Sequence, residues 1–419
     1  NNLNSITGDL IIPDSVEFIG KSAFYSFGGQ GKLQLPKNEK FTSLSENVFD
    51  NAKLTSIEFN TALETIGNYC FYNTKNLDNT IINGSTVAGL IFPDKLKSIG
   101  DFAFYADKKG KPVIGKLSLP EGLQSIGAYA FQYQSNLVEF NLPSTLLSIG
   151  QYAFSECTGL NSDIVIPKGV TVIEQRVFMN NTGNKKTLTL HDGITEIKEY
   201  AFYYCQNLTG NLTLPKNENL KEIGKYAFAN DKSFVNSLVI PENITSIADG
   251  TFLRCSGFDS LTLPSNIKTI GISAFASCTN LKGTLAIPDT VTLINDSAFS
   301  ECGNFTALYL SNNLEKIGSQ AFSNCYAFTN ELIIPRSLTT IGEKAFNWCK
   351  GLTGSVDLSN IKSLGKLAFY CCTGLNGQVT LPNDVNFTSV PSSLFYGCSN
   401  LNGDLIIPEG VTTISEYAF

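Results

Sequence analysis

A phenylalanine returns along this chain at a nearly fixed pitch: Phe24, Phe49, Phe71, Phe104, Phe131, Phe154, Phe178, Phe202, Phe228, Phe252, Phe275, Phe299, Phe322, Phe346, Phe369, Phe395 and Phe419. Most of these seventeen anchors stand 23 or 24 residues apart, and the words around them repeat, as in "SAFSEC" (297–302) and "QAFSNC" (320–325). A unit of that size cannot bury its apolar face alone and must stack on its neighbours. The 419 residues, which by length would suggest two or three domains, are therefore expected to form one solenoid over 1–419 with no internal boundary.

Each copy repeats the same apolar positions. An aliphatic residue or Phe lies five places before the anchor (Ile149, Ile223, Ile294, Leu364), and another lies eight before it (Leu146, Leu220, Val291, Ile361). Ahead of these stands an alternating pair, such as Leu117 and Leu119 or Leu285 and Ile287. Period two over a short run predicts a strand with one buried face. Pro follows this pair in thirteen copies, from Pro13 to Pro408, and ends the strand because it has no amide to donate. Asn60, His191, Ser311 and Ser359 take that place elsewhere.

Gly follows the central aliphatic residue in ten copies, as at Gly150, Gly271 and Gly342, which predicts a tight corner or a close approach of neighbouring coils. The segment around the anchor, typified by Ser319 to Cys325, is expected to make one helical or 3₁₀ turn. Two long intervals predict surface insertions near 72–90 and 105–116, forming a local projection. At about 4.8 Å per coil, seventeen coils predict a curved rod on the order of 80 Å along its spine.

The consensus these positions spell, L-x-[IL]-P-x-x-[VIL]-x-x-I-G-x-x-A-F-x-x-C-x-x-L, resembles the BspA-like, or treponemal-type, leucine-rich repeat family. Residues 261–281, "LTLPSNIKTIGISAFASCTNL", fit it almost letter for letter, and the resemblance covers the whole chain. It implies an α/β-type leucine-rich repeat solenoid: a curved right-handed coil of about 17 repeats, with one parallel β-strand per repeat and short helical or 3₁₀ turns. It also implies a secreted or surface-attached protein, with adhesion to host extracellular-matrix proteins, cells or other microbes among the family's roles. The motif consists of core and turn positions, so no site residue comes with it. Glu174 and Lys198, standing where Gly is usual, therefore disturb no functional assignment.

Composition narrows the partners. Net charge is −7 and the longest basic cluster is Lys108-Lys109-Gly110-Lys111, so neither nucleic acid nor an anionic membrane surface is an expected partner. No apolar stretch approaches the roughly 20 residues of a membrane span, so no membrane insertion is expected within this segment. Only 16% of residues are charged, while Asn, Ser, Thr and Gly abound, which suits an exported protein. The chain begins and ends inside copies of the phrase, so the natural ends are expected beyond it.

Chemistry-bearing residues are few. Nine cysteines (Cys157, Cys205, Cys255, Cys278, Cys302, Cys325, Cys349, Cys372 and Cys398) fall three places after the anchor. They are expected as a ladder of buried, reduced thiols, because parallel side chains in adjacent coils suit a disulfide poorly. Cys70 and Cys371 are out of phase and are the candidates for an accessible thiol. With no C-x-x-C pair and a single His, no metal site is expected. His191 reads as a surface turn residue, and the Ser-x-x-Lys spacings at 265–268 and 359–362 read as chance at a variable turn. No cofactor and no catalytic residue is predicted.

Two rows remain as candidate surfaces. The outward residue between each inward pair gives Ser118, Asn141, Val165, Thr189, Thr213, Val239, Thr262, Ala286 and Tyr309, continuing through Ile333, Asp357, Thr380 and Ile406. This broad, weakly charged sheet face favours docking of a protein, although strand propensity alone also selects Thr and Val. Two places before the anchor come Tyr69, Phe102, Tyr129, Tyr152, Tyr200 and Tyr226, with only Arg176 interrupting. Tyrosine brings contact area at low entropic cost, and sealing of the coil edges is the alternative. The expected function is non-enzymatic recognition, outside the cell or on its surface, of a protein such as a host matrix or cell-surface protein. A glycan-binding protein and a passive spacer are the alternatives.

Overall fold

The computed structural model describes residues 6–74, 76–108, 114–216 and 218–419. The chain falls into two compact units, Asn1–Thr209 and Gly210–Phe419. The coil pitch read from the anchors runs through both. Most coils carry two short strands rather than the single strand expected; those ending at Phe24, Phe346 and Phe419 carry one. In the first unit one ladder includes Leu10–Ile11, Lys32–Gln34 and Ser56–Glu58, in parallel register with Leu33 between Leu10 and Ile57. A second ladder joins Ser43–Leu44, Thr65–Ile66, Ser98–Ile99, Ser125–Ile126 and Ser148–Ile149. The second unit repeats the pattern, with Ser237–Val239 on Ser260–Thr262 in one ladder and six strands from Ser246–Ile247 to Ser363–Leu364 in the other. The second ladder is built on the aliphatic residue five before the anchor and the residue preceding it, which is polar except at Val172 and Leu293. Two residues are too few for a visible alternation, which is why the sequence hid it.

The third side of the coil contains no helix among the described residues. Except at Ala106, its residues two before and two after the anchor lie in the left-handed region, for example Tyr69 (φ 55°) and Asn73 (φ 48°), or Ser273 (φ 52°) and Ser277 (φ 58°). A left-handed residue at every fourth position breaks an α or 3₁₀ helix. What forms instead is a run of overlapping β-turns. The amides of Cys70, Tyr72 and Thr74 close them onto the carbonyls of Gly67, Tyr69 and Phe71 at 3.3, 3.1 and 3.1 Å. In the turns closed by Cys70 and Thr74, the left-handed residue holds the position where a type II turn needs positive φ. The alternate amides reach the next coil: Tyr69, Phe71 and Asn73 donate to Asp101, Ala103 and Tyr105 at 2.8, 2.8 and 2.7 Å. Every backbone donor of the segment is thus satisfied without a helix.

Inside the coil the anchor rings stack almost flat. Phe49, Phe71, Phe104 and Phe131 follow one another at 5.2, 5.1 and 5.3 Å, and Phe252, Phe275 and Phe299 at 5.6 and 5.3 Å. The anchors from Phe49 to Phe395 are buried, and each such ring contributes on the order of 1.5–3 kcal/mol. The glycine after the central aliphatic residue serves close approach. A Cβ on Gly150 would fall 2.4 Å from the Ala128 nitrogen in the preceding coil.

At the turn after the strand, the carbonyl of Pro13, Pro93 or Pro143 accepts the amide three residues on, at 3.0–3.1 Å. At Asn60, His191 and Ser311, where proline is missing, the same carbonyl bond persists at 3.2 Å and a side chain adds a second. Asn60 Oδ1 accepts the Ala62 amide (2.6 Å), Ser311 Oγ that of Asn313 (3.1 Å), and His191 Nδ1 that of Gly193 (3.0 Å). These short polar groups mimic a backbone turn.

Candidate recognition surfaces

Of the sheet-face row, Asn141, Thr213, Ile333 and Ile406 lie outside the assigned strands, and the others lie on them. Val165 pairs in register with Thr189, Val239 with Thr262, and Ala286 with Tyr309. All are exposed, and Ser118 alone in the row is half-buried. Asn141 is occupied by structure: its amide donates to the Leu119 carbonyl (3.1 Å) and its oxygen accepts the Leu119 amide (3.2 Å), replacing ladder bonds. In the second unit the row is strongly apolar for a surface, with Val239 48%, Tyr309 55%, Ile333 69% and Ile406 72% exposed. Thr213, Val239 and Thr262 line a concavity of about 420 Å³, closed by Leu212, Ile240 and Pro241 and edged by Lys216 and Glu242. The concavity combines an apolar floor with both signs of charge.

The aromatic row forms a column in the first unit. Tyr69 stacks on Phe102 at 4.7 Å, Phe102 on Tyr129 at 4.5 Å, and Tyr129 on Tyr152 at 4.5 Å, all within 12° of parallel. Arg176 continues the column. Its guanidinium carbon lies 5.3 Å from the Tyr152 ring and 4.7 Å from that of Tyr200, and it donates to the Tyr152 hydroxyl. A planar cation fits between two rings as a ring would. In the second unit the Tyr226 ring lies over Gly250, where a Cβ would come within 2.2 Å of it. Phe102, Tyr129 and Tyr152 therefore have both faces covered and present only edges and hydroxyls. Beside them Tyr72 and Tyr105 stack at 4.9 Å, and burial pushes the Tyr105 phenol up to about 12.

A second aromatic cluster escaped the sequence reading. Trp348 lies 6.2 Å from Tyr370, Tyr370 stacks on Tyr396 at 5.2 Å, and Tyr396 meets Tyr417 edge-on at 5.7 Å. Lys350 Nζ sits 4.4 Å from the Trp348 ring. Trp348, Tyr396 and Tyr417 are exposed. These residues occupy three different places relative to their anchors, so no single column of the repeat revealed them.

The insertion near 72–90 is a β-hairpin, Asn79–Ile82 against Ser85–Ala88. Asn83 and Gly84 form its two-residue turn with φ of 50° and 78°. Positive φ at both positions is the type I′ pattern that Asn-Gly favours. This dipeptide between β-branched runs was the legible signal. The hairpin adds a rung to one ladder only: Ile57 pairs with Thr80 while Leu117 pairs with Leu90, whereas Thr65–Ile66 meets Ser98–Ile99 directly. The Thr80 hydroxyl bridges the mismatch, donating to the Gly89 carbonyl and accepting the Ile91 amide, both at 2.9 Å. Beside the extra rung lies a cleft of about 640 Å³ lined by Glu58, Phe59, Ile82 and Phe92, with the Lys37–Glu58 ion pair (2.9 Å) at its edge. Of the second insertion and its lysine cluster, residues 109–113 lie outside the described residues. Lys108 Nζ stands 5.9 Å from the Tyr133 ring.

The eleven cysteines are free thiols. The nine in phase are buried, and each donates to a carbonyl in a preceding coil. Cys302 Sγ lies 3.1 Å from Phe275 O, and Cys372 Sγ lies 3.0 Å from Phe346 O. Cys70 is buried too, so of the two out-of-phase thiols only Cys371 is partly accessible. His191 Nε2 lies 3.2 Å from the Val170 carbonyl and Nδ1 caps the turn, so both ring nitrogens serve the fold. Among the described residues no group of three or more His, Cys, Asp or Glu is placed to hold a metal ion, and no helix is long and apolar enough to cross a membrane.

Comparison with solved structures finds a leucine-rich repeat protein from Bacteroides ovatus at 20% identity. The match covers 99% of this chain and 94% of that one, with a TM-score of 0.64. A leucine-rich cell surface protein from Faecalibacterium prausnitzii is 22% identical over 85% of this chain and 88% of its own, with a TM-score of 0.48. The first likeness shows the fold. No curated protein matches the chain in sequence. The profile of the BspA type leucine-rich repeat region, six copies long, matches residues 2–88, 83–209, 207–329 and 316–419. With the anchors, the parallel ladders and this match over nearly every residue, the chain belongs to the BspA-type leucine-rich repeat family.

Proposed function

We propose that this protein is a non-enzymatic recognition module, secreted or displayed on the cell surface, that adheres to a protein partner through the sheet-face row. The observation that carries this reading is the exposed, weakly charged row of the second unit, where Val239, Thr262 and Tyr309 stand outward beside strand residues such as Leu238 and Leu308 that are buried. An exposed apolar patch with a concavity and a rim of opposite charges is the anatomy of a protein docking surface. The family's repeats spend their remaining positions on packing, which leaves such rows for function. The surface location is supported by the weakly charged composition, rich in Asn, Ser, Thr and Gly, which suits an exported protein.

A glycan-binding role is the second reading, and a specific observation favours it: the exposed Trp348, Tyr396 and Tyr417 of the second unit. A sugar stacks on an open ring face, and the rings of Tyr129 and Tyr152 cover one another. The glycan reading therefore attaches to the Trp348 cluster rather than to the stripe.

One screen separates the readings. The purified chain is applied to an array of matrix proteins, mucins and glycans beside two variants, Val239→Glu/Thr262→Glu/Tyr309→Glu and Trp348→Ala/Tyr417→Ala. The sheet-face reading expects saturable binding to a protein that weakens by more than about tenfold in the first variant alone, as for a desolvated like-charge defect. Loss in the second variant alone, on a glycan, would transfer the role to the aromatic cluster. Binding that survives both changes would sink both surfaces and leave a spacer. Circular dichroism checks that each variant is folded.

A further inference from the structure

The hairpin exposes an unguarded strand edge. Ser85–Ala88 ends a five-stranded sheet, and no described residue pairs with its outer side. The two-residue turn makes Ile82 and Ser85 a hydrogen-bonded pair, the alternation makes Thr80 and Val87 the next, and the Gly89 amide on the Asp78 carbonyl (2.7 Å) continues it. The amides and carbonyls of Thr86 and Ala88 therefore point away from the hairpin. Natural edges are blunted by lysine, proline or a bulge. This one has none: residues 79–88, "NTIINGSTVA", carry no ionisable side chain and no proline, and all four strand residues are exposed.

We propose that Ser85–Ala88 pairs antiparallel with the same strand of a second copy of this chain, about a two-fold axis through Val87. In that register Thr86 faces Ala88 of the other copy and Ala88 faces its Thr86, so the outward groups of both strands join in four backbone hydrogen bonds. The two Val87 side chains, exposed in one copy, then cover each other on one face. Charge selects the same place. Two copies that each carry −7 repel one another over most of their surface, and the uncharged hairpin lets them meet without like charges opposed. A two-fold contact is closed by its own symmetry, so pairing stops at a dimer. Four hydrogen bonds make a contact far below a standard interface of about 1,600 Å². The dimer is therefore weak in dilute solution and favoured where copies are crowded.

The test is cysteine trapping. At the two-fold, Val87 occupies a non-hydrogen-bonded pair whose Cα atoms stand about 4.5 Å apart, within the span of a disulfide. Under mild oxidation Val87→Cys is expected to give a reducible dimer about tenfold faster than Val385→Cys, a collision control on an 87% exposed side chain, because pairing raises the effective concentration. Adding Thr86→Pro removes an outward amide without touching the hairpin's own ladder and is expected to bring the rate down to that of the control. Thr86→Lys, which leaves the backbone intact and guards the edge with charge, should do the same. Equal rates for Val87→Cys and Val385→Cys would overturn the proposal, as would trapping that survives Thr86→Lys. Neither result bears on the sheet-face row of the second unit.

Discussion

The residue three after the anchor is a hydrogen-bond donor slot. Its amide closes a turn on the anchor's own carbonyl (Cys302 N to Phe299 O, 3.2 Å), while its side chain reaches an anchor carbonyl in a preceding coil. In three coils without cysteine other donors serve, whereas Phe27 and Ala52 leave the slot without one. Thr74 Oγ1 meets Phe49 O (2.9 Å), Gln134 Nε2 meets Phe104 O (2.6 Å), and Asn181 Nδ2 meets Phe154 O (3.1 Å). Read from the sequence, these thiols were small apolar fillers, and their bonding became visible only with the fold. Cys302→Val, nearly isosteric but without a donor, is expected to cost about 1 kcal/mol, and Cys302→Thr less, in urea unfolding. A thiol that donates must keep its proton, and burial holds Cys302, Cys325 and Cys349 well above the usual thiol range near 9. The unfolded chain releases those protons above pH 9 while the folded chain retains them. Stability is thus fully present below pH 9 and declines as pH rises beyond it.

At the scale of the element, the turn run replaces the helix that the sequence suggested. Asn47, Asn51, Asn73, Asn180, Asn230 and Asn324 all sit at left-handed positions, as asparagine tolerates, but Tyr, Arg, Glu and Leu share the same places. That mixture masked the signal, because a non-glycine residue in this region is normally disfavoured by about 1–2 kcal/mol. Here the cost is offset by the amides that the turn aims at the next coil and, in the first unit, by ring stacking. Gln320, exposed at φ 58°, tests the conformation directly. Gln320→Gly is expected to leave stability unchanged or raise it by up to about 1 kcal/mol, while Gln320→Val lowers it by about 1–2 kcal/mol. A helix would rank these two the other way, so the order of the thermal midpoints decides between them.

At the scale of the whole molecule, each unit is held by contacts between adjacent coils, with ladders, stacked rings and donor slots repeated at one pitch. Inter-coil ion pairs such as Lys21–Glu46 (2.8 Å) and Lys97–Glu64 (2.8 Å) lie on the surface and add little. No covalent link contributes: ten of the eleven cysteines are buried and Cys371 is half-exposed. A maleimide is accordingly expected to label one thiol per native chain, at Cys371, and eleven after denaturation, counted by mass spectrometry. The thermal transition should not move when a reductant is added. Labelling of several native thiols, or a reductant-sensitive midpoint, would contradict this packing.

The sequence by itself determined the coil. The anchors, the alternating pair, the proline turn and the close-approach glycine each follow from a local rule of packing or backbone geometry, so one chain sufficed to read them, and with them the outward row. The tertiary structure decided what depends on the neighbouring coil. It alone revealed the second ladder beneath two-residue strands, the left-handed turns where helices were expected, the carbonyl that each thiol meets, and the ring faces that stacking conceals. It also turned an irregular insertion into a hairpin with an open edge. The reason is physical: a residue's propensity is local, whereas its hydrogen-bond partner lies one coil away, some 23 residues along the chain.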